Sequence, residues 1–548
     1  MLSAYSPKKA DSEQSYAKLS PNNKSKMNIL RHRFPNLIAF WAAVLCFSNN
    51  LSANDRIDPA GNQDKPNVII IFTDDQGSVD MNIYGAKDLV TPHMDSLAKR
   101  GVRFTQFYAA SAICSPSRVG LMTGRTPQHG GLKHNVPLNS VGMPSSQITI
   151  AEELKKAGYA TAHIGKWHLG HAEQTIPNSQ GFDFSFGHLV GCIDNYSHFF
   201  YWDGPNKHDL WRNGKEVFHN GQFFPDLMVK EAGEFIDKNK DNPFFLYFAM
   251  NSPHYPYQGS PEWLDHYKDL KYPRNLYAAF LSTMDDRIGQ LIKKVEDAGL
   301  TKDTIFIFQS DHGASIEVRA HKGGGNSGPH RGAKFSLYEG GLRIPAIISW
   351  PGHIPENQVR GQFATGCDWY PTILELCGIS ATKHRLDGKS LTPIIKSADT
   401  PTAHKTFHWK LGSKLAVRQG KWKMVVTGKK IELYDIPNDL GEAKNLAGKF
   451  PEVVTQLQQS NQEYWQSITQ KEDATESGKG ELDPGGAFAR SRHVIEQIKI
   501  GLTVYIFEIS INNRNLDATQ NTYTNRPLHI KNPSNSKHRP PQCDPHDG

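Results

Sequence analysis

Cysteine is scarce. Six in 548 residues rule out a small scaffold stapled by disulfides, and two of them, Cys46 and Cys543, lie in the end segments, leaving Cys114, Cys192, Cys367 and Cys377 for the body. Long apolar runs are missing too: Leu37 to Phe47 is too short to cross a bilayer as a stable helix. Neither sign of charge dominates. There are 62 basic and 55 acidic residues, a formal net charge of +7, and much of the surplus sits at the two ends, so nucleic acid is not an expected partner. There is no internal repeat, which excludes a solenoid or propeller array. What the chain does have is bulk: at 38% hydrophobic content it can bury a large core and suggests two or three domains. Its 24 histidines leave room for metal or acid–base chemistry without locating it.

The amino end is read apart from the body. Arg31, His32 and Arg33 precede the short apolar run and Leu51-Ser52-Ala53 follow it, the layout of a secretory signal ending near Ala53. Residues 1–26 are polar and lysine-rich, out of place before such a signal, so Met27 is the expected true start and residues 1–53 are set aside as extension plus signal. Export follows, to a periplasmic, extracellular or lysosomal-type compartment, with a membrane anchor the weaker reading.

After a polar linker at 54–66, Asn67 to Phe72 is a continuous β-branched run that empties into Thr73-Asp74-Asp75-Gln76-Gly77. Such a run reads as a parallel strand buried on both faces. Thr91-Pro92 opens a helix that stops at Gly101, and Thr149 with Glu152 has capping-box spacing ahead of another. Further strands are read at Tyr159 to Ile164, Phe244 to Ala249, Thr304 to Phe308 and Ile344 to Trp350, with a helix through Leu281, Met284, Ile288, Leu291, Ile292 and Val295. This alternation predicts an α/β domain over 66–400, a large and mostly parallel sheet flanked by helices, with ligands at the strand carboxyl ends. From 401 to 470 short alternating runs predict a small antiparallel sheet and a helix. Residues 471–548 are polar and patternless apart from Ile500 to Phe507, and read as a disordered tail.

The chemistry gathers at two distant strand ends. Asp74 and Asp75 end one strand, and Asp311 and His312 end another. Carboxylates brought together from such a distance need a positive charge between them, and a hard divalent cation is the physical solution. Between these segments lies Cys114-Ser115-Pro116-Ser117-Arg118, running on through Leu121, Thr123, Gly124 and Arg125. By itself the cysteine reads equally as a free thiol at a helix start.

Taken together, these segments resemble the type I sulfatases. The resemblance covers roughly residues 66–470 in five separated motifs and implies an alkaline-phosphatase-like fold. It also implies that a maturation enzyme oxidises Cys114 to formylglycine, an aldehyde whose hydrate attacks sulfur. Asp74, Asp75, Asp311 and His312, together with the residue at 114, match the metal ligands. Many members carry asparagine where His312 stands, though histidine also appears; calcium is the first expectation for the ion, and magnesium or another divalent that takes a nitrogen donor is the reserve. Lys166 and His168, in Gly165-Lys166-Trp167-His168, match the sulfate-binding lysine and the histidine that acts on the hydrate. His254 matches the histidine near the leaving oxygen, and Lys334 matches a second sulfate lysine, in a segment whose Glu339 and Arg343 read as structural. Arg118 would orient the modified residue.

On that scheme the metal, Lys166 and Lys334 clamp the sulfate, Asp311 helps deprotonate one diol hydroxyl, and His254 assisted by Lys334 protonates the departing alcohol. His168 then removes the second hydroxyl proton and the aldehyde reforms. With Cys114 modified, the other body cysteines allow at most one disulfide, and Cys367 with Cys377 is the first pairing to expect. Tyr196, His198, Tyr201, Trp202, Asp203 and Trp211 form an aromatic, polar stretch that could stack on sugar rings, so a sulfated glycan is the favoured substrate class. The rival readings are a phosphomonoester or phosphonate hydrolase of the same fold and a catalytically silent glycan-binding protein. Oligomeric state is not legible.

Overall fold

A computed structural model describes residues 65–201, 206–380 and 384–477, with side-chain surroundings as far as 468. The expected signal, the Met27 start, the tail beyond 477 with its Ile500 to Phe507 run, and Trp202 and Asp203 lie outside the described residues.

The strand Asn67–Thr73 sits at the centre because every one of its residues is buried. Its side chains alternate between two cores. Val68, Ile70 and Phe72 face one, Ile69 and Ile71 the other, as a period of two requires. Parallel neighbours flank it, Thr304–Ser310 on one side and Phe244–Ala249 on the other. Ala160–Lys166 and Phe184–His188 extend the sheet in parallel beyond Phe244–Ala249. On the far side Ala346–Ser349 runs antiparallel to both its neighbours, Thr304–Ser310 and Gly101–Phe104, and short strands close both edges, giving this sheet ten strands among the described residues. The mixed, mostly parallel α/β sheet expected from the sequence is the one found. The helices Pro92–Lys99, Phe224–Asn239 and Arg274–Asp297 cover one face. Cys114–Thr123, Ile150–Lys156 and Trp369–Leu376 cover the other.

Register positions the site. Thr73 pairs with Ser310, Phe72 with Ala249, and Ala249 with Gly165, so four strands end level with one another. Gly165 has no alternative at its place: it adopts a φ of +119°, and a Cβ there would stand 2.0 Å from the Ala249 carbonyl oxygen. The helix Ile150–Lys156 carries the expected capping box, with Thr149 and Glu152 satisfying each other's backbone amides.

Four antiparallel strands, Thr406–Leu411, Lys414–Gln419, Trp422–Thr427 and Lys430–Asp435, form the second sheet in simple hairpin order. The helix Pro451–Ser477 follows, with Leu457 packed among Val417, Met424 and Leu433. One expectation fails. Cys367 and Cys377 are both free thiols, because the helix Trp369–Leu376 lies between them and a rise of about 1.5 Å per residue carries the two sulfurs far beyond bridging distance. No helix among the described residues is long and apolar enough to cross a membrane.

Candidate active site

Asp74 and Asp75 leave the central strand, and Asp311 and His312 leave its neighbour. Backbone bonds lock the two turns together: the Asp311 amide donates to the Thr73 carbonyl at 2.9 Å and the Asp75 amide to Asp311 Oδ1 at 3.1 Å. Asp75 takes a left-handed φ of 63°, strain of the kind that persists where the surroundings over-determine it. Cys114 is the first residue of the helix Cys114–Thr123, which stops at Gly124 in a left-handed conformation. Its Sγ lies 3.3 Å from His312 Nε2 and 3.8 Å from Asp74 Oδ1. One ligand atom each from Asp74, Asp75, Cys114 and His312 lie within 4.8 Å of one another, all buried. Asp311 is outside that mutual set but adjoins it, with Oδ2 3.5 Å from His312 Nε2.

Cations ring the acids. Lys166 Nζ donates to Asp74 at 2.6 Å, and Lys334 Nζ lies 3.0 Å from Asp75 and 3.4 Å from His254 Nε2. Arg118, fully buried, donates to the Lys166 carbonyl at 2.9 Å and reaches Asp311 at 3.4 Å and Asp74 at 3.7 Å. The acids respond differently. Burial pushes every one of them up, but Lys166, His254 and Arg118 outweigh it at Asp74 and hold that carboxyl well below its usual range. At Asp75 burial wins over Lys334 and His312, and the carboxyl rises to about 8; at Asp311 it wins over His312 and reaches about 7. Burial would raise the Cys114 thiol as well, yet Lys166 and Lys334 draw it down to about 6.

The donor set fits a divalent cation. Asp75 Oδ1 is buried with no aligned hydrogen-bond donor, and two acids are under-compensated by the positive charges present. His312 Nδ1 lies 3.0 Å from the Gly313 carbonyl, which can only accept, so Nδ1 carries the proton and Nε2 is left as the ligand atom.

The two other histidines face the same space. His254 Nδ1 is 2.6 Å from the Tyr255 carbonyl, which by the same reasoning turns a bare Nε2 toward the lysine. His168 adopts a φ of 55°, and its buried Nδ1 has no hydrogen-bond partner. Burial holds both rings well below the usual histidine value. A cavity of 390 Å³ opens over Cys114, His168, His254 and Lys334 and is walled by Val136, Leu138, Val190, Cys192, Phe200 and Phe335.

All ten sequence-selected residues, Asp74, Asp75, Cys114, Arg118, Lys166, His168, His254, Asp311, His312 and Lys334, thus converge on one place. The aromatic stretch does not follow them as a unit. Buried His198 bonds the Gln222 carbonyl, Tyr196 packs on Phe223, and Trp211 lines a separate small recess. Phe200, which the sequence reading passed over, lines the cavity, and Tyr201 comes close to the site, its OH donating at 3.2 Å to the same Tyr255 carbonyl that His254 Nδ1 faces. Asn135, which caps the Ser115 amide at 3.1 Å, and Glu317, 3.4 Å from Lys334, were also missed. Both stand in loops with no motif to mark them.

Level strand ends, a metal-type acidic centre at a helix start and a ring of buried cations define a hydrolase built to hold a tetrahedral oxyanion beside a nucleophile. The sulfatase family profile matches residues 66–379, and that of the N-sulphoglucosamine sulphohydrolase C-terminal region matches 332–468. The chain belongs to the sulfatase family, hydrolases of sulfuric esters. It is 34% identical to rat N-acetylgalactosamine-6-sulfatase, covering 66% of this chain and 72% of the relative. With human arylsulfatase A it shares 31% identity, over 72% of this chain and 86% of that one. Among solved structures, Ps i-CgsB in complex with k-i-k-neocarrahexaose superposes with a TM-score of 0.68 at 31% identity, covering 73% of this chain and 92% of that one.

Proposed function

We propose that the chain hydrolyses sulfate monoesters, aryl sulfates in the test tube and a sulfated carbohydrate in its natural setting, through formylglycine made from Cys114 and one divalent cation. The oxygens of Asp74 and Asp75 suit calcium and magnesium alike, and calcium is favoured because it accepts an irregular ligand set where magnesium demands a near-ideal octahedron. The observation that carries the reading is the position of Cys114 Sγ, 3.3 Å from His312 and 3.8 Å from Asp74 in a cluster flanked by Lys166 and Lys334. A thiol needs no such surroundings, whereas a nucleophile aimed at an anionic ester does.

Asp74, Asp75 and His312 would hold the cation, with Asp311 behind them, and the ion would add Lewis-acid charge where the sulfate oxygens lie. Formylglycine would supply a hydrated aldehyde, a nucleophile with a second hydroxyl available for release of the product. Lys166 and Lys334 bind the sulfate oxygens from two sides, and Arg118 fixes Asp311 and the strand end that carries Lys166. Asp311 takes the proton from the attacking hydroxyl. His254 is neutral at rest. Burial keeps it so, and its bare Nε2 can relay to the departing alkoxide a proton taken from the Lys334 ammonium, 3.4 Å away. His168, whose Nδ1 has no other partner, accepts the proton that frees the product.

Residues 66–400 form the catalytic domain on this reading and 401–470 its carboxyl subdomain, with the chain exported by its amino-terminal signal and matured by a formylglycine-generating enzyme. Peptide mass analysis across Cys114, with parallel assays on 4-nitrophenyl sulfate and 4-nitrophenyl phosphate, tests it. Loss of sulfur with gain of oxygen and preferential sulfate hydrolysis are expected. An unmodified Cys114 in protein with full sulfatase turnover, or a preference for the phosphate, would overturn it.

A further inference from the structure

The cavity's polar groups belong to the sulfate end, and its remaining wall is largely apolar. Glu317 is not among the lining residues but touches one of them, Lys334. It lies on the loop after Asp311 and His312, and its Oε2 is held by three groups at once: Ser315 Oγ at 3.0 Å, Tyr255 OH at 3.3 Å and Lys334 Nζ at 3.4 Å. Ser315, Tyr255 and Lys334 are all buried, while the Glu317 side chain keeps 20% exposure. Its second oxygen accepts no hydrogen bond from any described residue. Lys334 is thus shared between Asp75, deep in the centre, and Glu317, toward solvent. An exposed glutamate is usually mobile. One pinned on three sides is a pre-organised acceptor, and its free oxygen can be satisfied only by a donor.

We propose that Glu317 is a specificity-determining residue: its carboxylate accepts a hydrogen bond from a hydroxyl of the ring that bears the sulfate, selecting a hydroxylated sugar over an aryl leaving group. The inference rests on the sulfatase reading and deepens it. A site built to accept a substrate hydroxyl discriminates strongly against an analogue lacking one, because the carboxylate then loses its water and gains no partner. Were Glu317 only a prop for Lys334, its loss would weaken every sulfate ester alike.

The parent, Glu317→Ala and Glu317→Gln, matched for formylglycine content by mass, are compared on 4-nitrophenyl sulfate and on galactose and glucose monosulfated singly at positions 2, 3, 4 or 6. Both classes of substrate lose rate in the alanine variant as Lys334 loses a partner. The ratio of kcat/KM for the best sugar sulfate to that for the aryl sulfate is expected to fall a further 10- to 100-fold or so, the loss of one charge-assisted hydrogen bond, with partial recovery in Gln. An unchanged ratio overturns the proposal. If the parent hydrolyses neither class, the sulfatase reading has failed, and calorimetric binding of the same sugar sulfates to Cys114→Ala with and without Glu317→Ala decides Glu317 on its own. At least about tenfold weaker binding supports the role, and equal binding ends it.

Discussion

Lys423 holds the second sheet to the catalytic centre, and its removal has a calculable cost. It is fully buried on the strand Trp422–Thr427, with Nζ 2.9 Å from Glu339 and 3.0 Å from Glu442. Glu339 begins the turn that closes the Lys334 segment, and it is held also by Arg343 at 2.8 Å and Tyr108 OH at 2.7 Å. Lys423→Met keeps most of the volume and deletes the charge that two buried carboxylates share. Breaking a buried ion pair from one side costs about 3–5 kcal/mol. Because Arg343 still holds Glu339 and Glu442 can take a proton, the lower end, about 3 kcal/mol, is expected. With an unfolding entropy of about 2.1 cal/mol/K per residue over roughly 400 ordered residues, melting falls by about 3–4 °C. The pH dependence has a definite sign. Burial raises the Glu442 carboxyl even against Lys423, and without the lysine it rises further. A group whose folded pKa lies above its unfolded one costs stability while ionised, and that cost disappears as pH falls through the folded value. The deficit of Lys423→Met is therefore largest near pH 8 and shrinks toward pH 5. Scanning calorimetry of both proteins at the two pH values measures it. A variant that melts within about 1 °C of the parent at pH 8, or a deficit that grows on acidification, would refute the reasoning.

Cys114→Ser should abolish multiple turnover in steady-state aryl sulfate assays, since a serine has no second hydroxyl with which to release product; full turnover would contradict the mechanism. Stripping divalent ions with a chelator should lower the melting temperature by leaving Asp75 and Asp311 under-compensated, and calcium should restore it better than magnesium; a melt indifferent to the chelator counts against the metal site. In Gly191→Ala the new Cβ would stand 2.9 Å from His168 Cε1, so kcat should drop about 10- to 100-fold for a ring displaced by under 1 Å, with little change in melting. Alkylation of denatured, unreduced protein should label both Cys367 and Cys377; protection of the pair would restore the disulfide that the structure denies.

The features legible in the sequence share a physical cause. A strand buried on both faces must be apolar throughout, so Asn67 to Phe72 and Thr304 to Phe308 announced themselves, and the residues at their carboxyl ends came with them. Register then did what composition cannot: pairing Thr73 with Ser310 and Ala249 with Gly165 converts four separate motifs into one site. The Cys367–Cys377 pairing failed because nearness along the chain was weighed without the helix between, and a helix separates residues that a loop would let meet. His198 and Trp211 misled in the complementary way. Their ring types suit sugar stacking, but local bonding and sheet-edge packing use them first. Asn135 and Glu317 were invisible for a third reason. A loop side chain that reaches a site obeys no period, and only the positions of its neighbours give it a role: Glu317 becomes a candidate because Ser315, Tyr255 and Lys334 pin one of its oxygens. Residues that shape the reacting centre stand at strand ends, at the start of the helix Cys114–Thr123 or in the Lys334 segment, and can be read as motifs. Residues that choose the leaving group sit on loops, where substitution disturbs no strand, so substrate choice within this fold must be sought at positions such as 317 rather than among the ten residues of the centre.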